Sequence, residues 1–575
     1  MALKDKFVIY QMLPRLFSNT CQTCRPNGDI EQNGVGKMND ITPKVLKEIR
    51  SLGVTHVWYT GVIEHATQTD YTKYGIQKDN PYIVKGKAGS PYSVKDYYDI
   101  DPDLAVDVEH RMDEFEALVK RTHKAGLKAL IDFVPNHVAR QYHSDAKPAG
   151  IADFGAEDNT DYFFHPNNNF YYIPRQLFQP HLYLGEGADA YYEFPAKATG
   201  NDCFNAFPGV NDWYEAVKLN YGVDYGDHTT HFDPIPNTWF KMLNILRYWA
   251  SKGIDGFRCD MVFMVPVEFW HWAIPQVKEK YPDIIFIAEI YDVNLYRPFI
   301  FEGGFDYLYD KVNLYDTLRG VQCHNVSAAA ITNCWQTVDG IGGHMLNFLE
   351  NHDEQRIASK FFLGDAKKAL PSLVVSSTIS TGPYMIYFGQ ELGEDAHDAE
   401  GFSGDDGTTT RFDYWSVSSV RRWYNNGKCD GAQLTPQERE LRELYKRILN
   451  LSQSEPAIAE GKFYDFMYVN YNNPHFNPHR QFSYMRATDN EFIFFVVNFS
   501  EENLQIGVNI PAHAFEYFDL AQGDYVATDL LTQKKETIRL SPNEQCMVSV
   551  EGLGVKMLKF KRPVVKKQSK SHSKK

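Results

Sequence analysis

Gly256-Phe257-Arg258-Cys259-Asp260 is an apolar run that ends on charge, with Arg258 and Asp260 two residues apart. Side chains alternate along a strand, so these two stand on one face while Phe257 and Cys259 stand on the other. Three further segments end in the same way: Asp132-Phe133-Val134-Pro135-Asn136-His137, Phe286-Ile287-Ala288-Glu289 and Phe348-Leu349-Glu350-Asn351-His352-Asp353. Apolar strands closed by Asp, Glu, His or Arg describe buried parallel strands whose carboxyl ends face a cleft, where α/β sheets and barrels keep their active sites. Carboxylates on three such ends suit the cleavage of an acetal, which needs a proton donor and a carboxylate beside an oxocarbenium-like centre.

Outward from these segments, strand and helix signals alternate. Residues 7–13, 55–59, 128–134, 256–259, 284–288, 305–308, 345–349 and 384–388 read as eight strands. Apolar residues at helical spacing mark 43–52, 114–125, 238–251, 267–281 and 366–376 between them. Eight strands with crossover helices predict an α/β fold, a closed parallel (β/α)8 TIM barrel with its catalytic loops at one end. The third unit is interrupted by nearly a hundred residues rich in Asn, Asp, Gly, Pro and Tyr, and a segment of that length is more often functional than passive. After a helix at 438–451 the pattern changes to short β segments at 463–471, 482–485, 491–498, 504–510 and 546–550, which predict an antiparallel β-sandwich. The expected organisation is a barrel over 1–137 and 235–458, an inserted domain lining the cleft over 138–234, a C-terminal sandwich over 459–562 and a disordered basic tail over 563–575.

Composition narrows the partners. With 74 acidic against 59 basic side chains and a net charge of −15, the 575-residue chain lacks the basic footprint that a polyanion requires, so nucleic acid is not an expected partner. The longest apolar runs, such as 492–497, fall far short of the roughly 20 residues of a membrane span, and none is expected. The amino terminus passes straight into strand residues 7–10 with no apolar signal core. A cytoplasmic location follows, or a secreted or periplasmic one if a signal has been removed. Eight cysteines are too few and scattered for a disulfide scaffold; Cys21-x-x-Cys24 reads as free thiols ahead of a disulfide or half a metal site. Aromatic residues make up 14% of the chain. Most belong to the core, but the clusters at 162–164, 170–172 and 191–194 mix rings with polar groups, which suits the flat faces and hydroxyl edges of sugars.

The four segments, in this order and with these flanking residues, resemble those of the α-amylase family of retaining, α-glucan-active glycoside hydrolases, and the resemblance runs from about Phe7 to about Glu460. It implies that Asp260 is the nucleophile, Glu289 the general acid and later base, and Asp353 the carboxylate that binds sugar hydroxyls and favours the distorted transition state. Crowding by the other two negative charges would raise the pKa of Glu289. Among substrate-binding positions it implies Tyr92 as a stacking ring, His137 and His352 at the cleavage point, and Arg258, whose charge-assisted hydrogen bond could keep Asp260 ionised and oriented. Asn136 matches a calcium ligand, and the main-chain oxygen of Met264 and an Asp of the insertion would complete one calcium site. The implied activity is hydrolysis of α-1,4-glucosidic bonds in starch, glycogen or maltooligosaccharides through a covalent glycosyl-enzyme. The same machinery would serve an α-glucan transferase or a hydrolase preferring cyclodextrins and maltooligosaccharides. A catalytically silent carbohydrate-binding relative would lack carboxylates that this chain retains.

Overall fold

The eight apolar runs are the staves of one closed parallel barrel: Val8–Met12, His56–Tyr59, Lys128–Phe133, Gly256–Cys259, Ile285–Ala288, Tyr307–Tyr309, Met345–Phe348 and Tyr384–Tyr387, each paired with the next and the last with the first. The computed structural model describes residues 6–181, 191–397 and 401–562, and the tail expected at 563–575 lies outside them. Alternation divides the strand residues between two cores. Ile9, Trp58, Leu130, Ile285, Ile287, Tyr309, Phe348 and Met385 fill the barrel interior. Val8, Val57, Ile131, Phe257, Phe286 and Ile386 face the surrounding helices. In the fourth strand Gly256 faces inward, where a Cβ would lie 2.5 Å from Ile285 Cγ1 and 2.9 Å from Leu130 Cδ2. The missing side chain is what lets those two close the lower layer.

Crossover helices Pro43–Ser51, Arg111–Lys124, Asn237–Ser251 and Val267–Lys278 stand where helical spacing places them. Thr42 shows why the first begins where it does: its hydroxyl accepts from Val45 N, and Pro43 occupies the first turn, where an amide hydrogen would have no partner. The helix expected at 366–376 is shifted. Asp365 accepts from Lys367 N and winds Ala366–Ala369 into a 3-10 turn, and the α-helix proper is Leu370–Thr378 with Pro371 in its first turn. Between the second and third staves an antiparallel hairpin, Ile63–His65 with Val94–Ile100, projects from the carboxyl end of the barrel, with register shifts on both sides of Glu64. In the inserted segment His137–Ala139 pairs with Ala216–Lys218, and Tyr172–Ile173 with Ala196–Lys197. No helix occurs among the described residues of 140–236.

The C-terminal region is a six-stranded sheet with antiparallel pairing, from Lys462–Asp465 to Lys535–Leu540, together with the two-stranded pair Leu504–Val508 and Cys546–Val550. The strand expected at 463–471 stops at Asp465 and turns into the short helix Met467–Asn470. Asp465 Oδ1 accepts from Met467 N (2.7 Å), and Oδ2 accepts from Thr332 Oγ1 and Trp335 Nε1 on the barrel side, so the aspartate spends its lone pairs on a turn and a tertiary contact. Arg486 fastens this region to the barrel by donating to the carbonyls of Ile379 (2.9 Å), Ala457 (3.2 Å) and Ile458 (2.9 Å). Cys21 and Cys24 are both free thiols. Among the described residues no helix is long and apolar enough to cross a membrane.

Candidate active site

Backbone pairing carries the polar residues just beyond the strand ends. Asp260 N donates to Phe133 O (2.9 Å) and Glu289 N to Cys259 O (3.0 Å), one step past the register pair Cys259 and Ala288. The two carboxylates therefore spring from adjacent strands, whose spacing is about 4.8 Å. Arg258, one inward position below Asp260, donates through Nη1 to Asp260 Oδ1 (2.8 Å), and its Nη2 lies 2.8 Å from Glu289 Oε2. Its own position is fixed by the rings of Trp58, Tyr92 and Tyr309, whose centroids lie 5.1, 5.3 and 5.5 Å from the guanidinium carbon. A planar fork aimed at two carboxylates confers orientation as well as charge. Arg258 was expected among the substrate contacts; at 1% exposure it lies beneath the cleft floor and positions the two acids instead.

Surroundings separate the acids. Burial pushes Glu289 up to about 8; Arg258 opposes the shift, and Asp260 and Asp353 add to it. Glu289 Oε2 also accepts from Met261 N (2.8 Å), and Oε1 from the Tyr291 hydroxyl. Burial raises Asp260 as well, but Arg258 and a hydrogen bond with Glu289 favour its charged form. Asp260 Oδ2 has no hydrogen-bond partner. For Asp353, enclosure works against the charge, yet His352, Arg411, Arg258 and Lys311 bring it below the usual carboxylate value. Its Oδ1 lies 3.3 Å from Arg411 Nη2 and its Oδ2 3.2 Å from His352 Nε2.

Both expected histidines are neutral. Burial lowers His352 to about 3 and His137 to about 4. The Gln11 amide donates to His352 Nδ1 (2.8 Å), which leaves the ring proton on Nε2, toward Asp353. Tyr92 stacks on His352 with centroids 5.1 Å apart and a 26° tilt, and its hydroxyl donates to Asp132 Oδ1 (3.3 Å). Tyr92, His137, Asp260, Glu289, His352 and Asp353 line one cavity of about 510 Å³ together with Trp213, Tyr291 and Arg411. Tyr291 and Arg411 escaped the sequence reading. Tyr291 follows Glu289 by two residues, so strand alternation could have flagged it; Arg411 arrives from a loop after the last stave and carries no local pattern.

Asn136 is a correction. Its side-chain oxygen accepts from Lys218 Nζ (2.6 Å), and the same ammonium lies 3.3 Å from Met264 O and 2.7 Å from Asp202 Oδ1. The three oxygens expected around calcium, from Asn136, Met264 and an Asp of the insertion, are thus gathered around a lysine side chain of 1% exposure. A fixed internal cation and a divalent ion cannot share that space, so the donor set does not fit calcium. Among the described residues, Glu64, Asp96, Asp99 and Asp145 form a different group that could hold a metal ion.

The sequence profile of the family described as alpha amylase, catalytic domain, matches residues 11–218 and 233–422. Alpha-amylase 3 of Dictyoglomus thermophilum is 22% identical over 76% of this chain and 77% of its own. The alpha-glucosidase of Apis mellifera is 21% identical over 96% of this chain and 93% of its own. The crystal structure of a maltogenic alpha-amylase, AmyB from Thermotoga neapolitana, superposes with a TM-score of 0.63 at 19% identity, covering 97% of this chain and 99% of that one.

Proposed function

The chain belongs to the alpha-amylase family and is a glycoside hydrolase, and from that premise we propose that it cleaves α-1,4-glucosidic bonds of starch, glycogen or maltooligosaccharides with retention of configuration. The observation that carries this reading is the pair Asp260 and Glu289 on adjacent strand ends, bridged by Arg258, in an enclosure that raises the pKa of Glu289 and so favours its protonated form. Neighbouring strand ends suit the separation of about 5–5.5 Å that a retaining pair needs, with no room for water between acid and base. Glu289 gives its proton to the glycosidic oxygen as the bond to the leaving sugar breaks, and Asp260 Oδ2 forms a bond to the anomeric carbon. Water then attacks that carbon, giving its proton to Glu289 and releasing Asp260 as carboxylate. Asp353, kept ionised by Arg411 and His352, accepts from sugar hydroxyls, and Tyr92, His137 and His352 frame the reacting ring.

A preference for short maltooligosaccharides is favoured by the cleft rim. There the ion pair Lys85–Glu215 (3.0 Å, 9% and 7% exposed) ties the hairpin connection to the inserted segment, and Lys85 Nζ lies 6.0 Å from the Phe412 ring centroid. A rim joined across three chain segments suits an oligosaccharide end better than the middle of a polymer. Incubation with maltoheptaose and soluble starch, following products and their anomeric form over time, tests both statements. Glu289→Gln is expected to lower turnover by roughly 10²–10⁴-fold while glucan binding remains measurable. Undiminished turnover in that variant, or release of β-anomeric product, would refute the mechanism.

A further inference from the structure

We propose that Glu64, Asp96, Asp99 and Asp145 bind one calcium ion, which clamps the hairpin Ile63–His65/Val94–Ile100 to the first loop of the inserted segment. One carboxylate oxygen from each lies within 4.8 Å of all the others. Oxygen ligands about 2.4 Å from a calcium ion are at most about 4.8 Å apart across it, so the four fit a single coordination sphere.

Glu64 supplies the independent observation. It is 1% exposed, and neither of its carboxylate oxygens has a hydrogen-bond partner. A buried ionised carboxylate without donors is among the costliest groups a fold can contain, and it is resolved by a proton, a partner cation or a metal. Its neighbours are differently placed. Asp96 is held by Ser144 Oγ (2.6 Å), Tyr98 N (2.8 Å) and Ala146 N (3.1 Å), and Asp99 by Ile100 N (2.7 Å) and the Arg111 guanidinium. These contacts orient both carboxylates and leave each with acceptor capacity.

Charge supports the same occupant. Among the described residues the cation in contact with the group is Arg111, bound to Asp99 and 3.8 Å from Asp145. The neighbouring Lys95 ammonium is turned to Asp79 (3.0 Å) and to the Gln77 carbonyl. One guanidinium against four carboxylates leaves charge that a divalent ion offsets. An all-oxygen donor set selects a hard ion over zinc or copper, and calcium tolerates the irregular geometry of three buried ligands and one solvent-open one better than magnesium does. Asp145, on the solvent side, gives the route of entry. The clamp also bears on the cleft, because Tyr92 lies two residues ahead of Val94 on the same hairpin.

The full-length protein, stripped with EDTA and desalted, is titrated with calcium chloride by calorimetry and scanned for thermal unfolding. One ion per chain and a melting temperature that rises with calcium are expected. Glu64→Gln is expected to weaken binding by more than about tenfold, and Asp145→Asn, at the open edge, to weaken it similarly while the calcium-free protein melts as the parent does. If Glu64→Gln does not fold, Asp145→Asn decides alone. Absence of heat and of any thermal shift at millimolar calcium would overturn the proposal, because protons would then neutralise the group. Binding that persists undiminished in the folded variants would overturn it too, by placing the ion elsewhere. Neither readout depends on glycosidase activity.

Discussion

Asp260 and Glu289 touch the same guanidinium, yet their surroundings give them different proton affinities, and that difference sets a testable pH dependence. Glu289 must carry a proton to act as the acid, so kcat/KM on maltoheptaose is expected to fall as pH rises through about 8. The sign for stability is the same. A folded-state pKa above the ordinary value of 4.5 means that its contribution is present below about pH 4.5 and is lost as pH rises through about 8. A pH profile flat to pH 10 would contradict the assignment. At this scale the sequence was informative wherever a residue ended a strand: Asp260, Glu289, His352 and Asp353 follow apolar runs, and all of them reach one cavity. It was uninformative about depth. Arg258 and Asp260 share a face, but only the three rings packed around Arg258 place it beneath the floor and leave Asp260 at the surface of the cleft.

The staves were legible because a buried parallel strand is a short apolar run between turn signals, and all eight expected runs became staves with ends displaced by two residues at most. Elements whose ends are set by side-chain hydrogen bonds were not: Asp465 cuts a strand short and Asp365 converts a first helical turn to 3-10. The fourth stave offers a direct test of packing inside the barrel. In Gly256→Ala the new Cβ would meet Ile285 Cγ1 at 2.5 Å and the Ile285 carbonyl oxygen at 2.7 Å, so one of the two strands must shift. A loss of roughly 1–3 kcal/mol in the urea unfolding free energy is expected, together with reduced turnover, because Asp260 directly follows the end of this strand. An unchanged midpoint would mean that the lower layer is looser than these distances imply.

Across the whole molecule the stave ends that carry Asp260 and Glu289 and the attachment of the C-terminal sheet through Arg486 lie at opposite ends of the barrel. Arg486 binds the Ile379 carbonyl ahead of the last stave, whereas the acids follow the stave ends. Arg486→Met would leave three buried carbonyls without a donor, at about 1–3 kcal/mol each. A lower melting temperature with kcat at 25 °C changed less than about twofold is expected; a large loss of kcat with an unchanged melting temperature would show coupling between the two ends. The sequence by itself determined the barrel, the interruption after its third strand, the terminal sheet and the acids at the strand ends, since periodicity and strand termination are local properties of a chain. Which cation serves which cluster of oxygens was decided only by the tertiary structure. Lys218 meets Asn136 across 82 residues, and Glu64 meets Asp145 across a hairpin and a loop. Charge compensation depends on distance in space, which the order of residues does not encode.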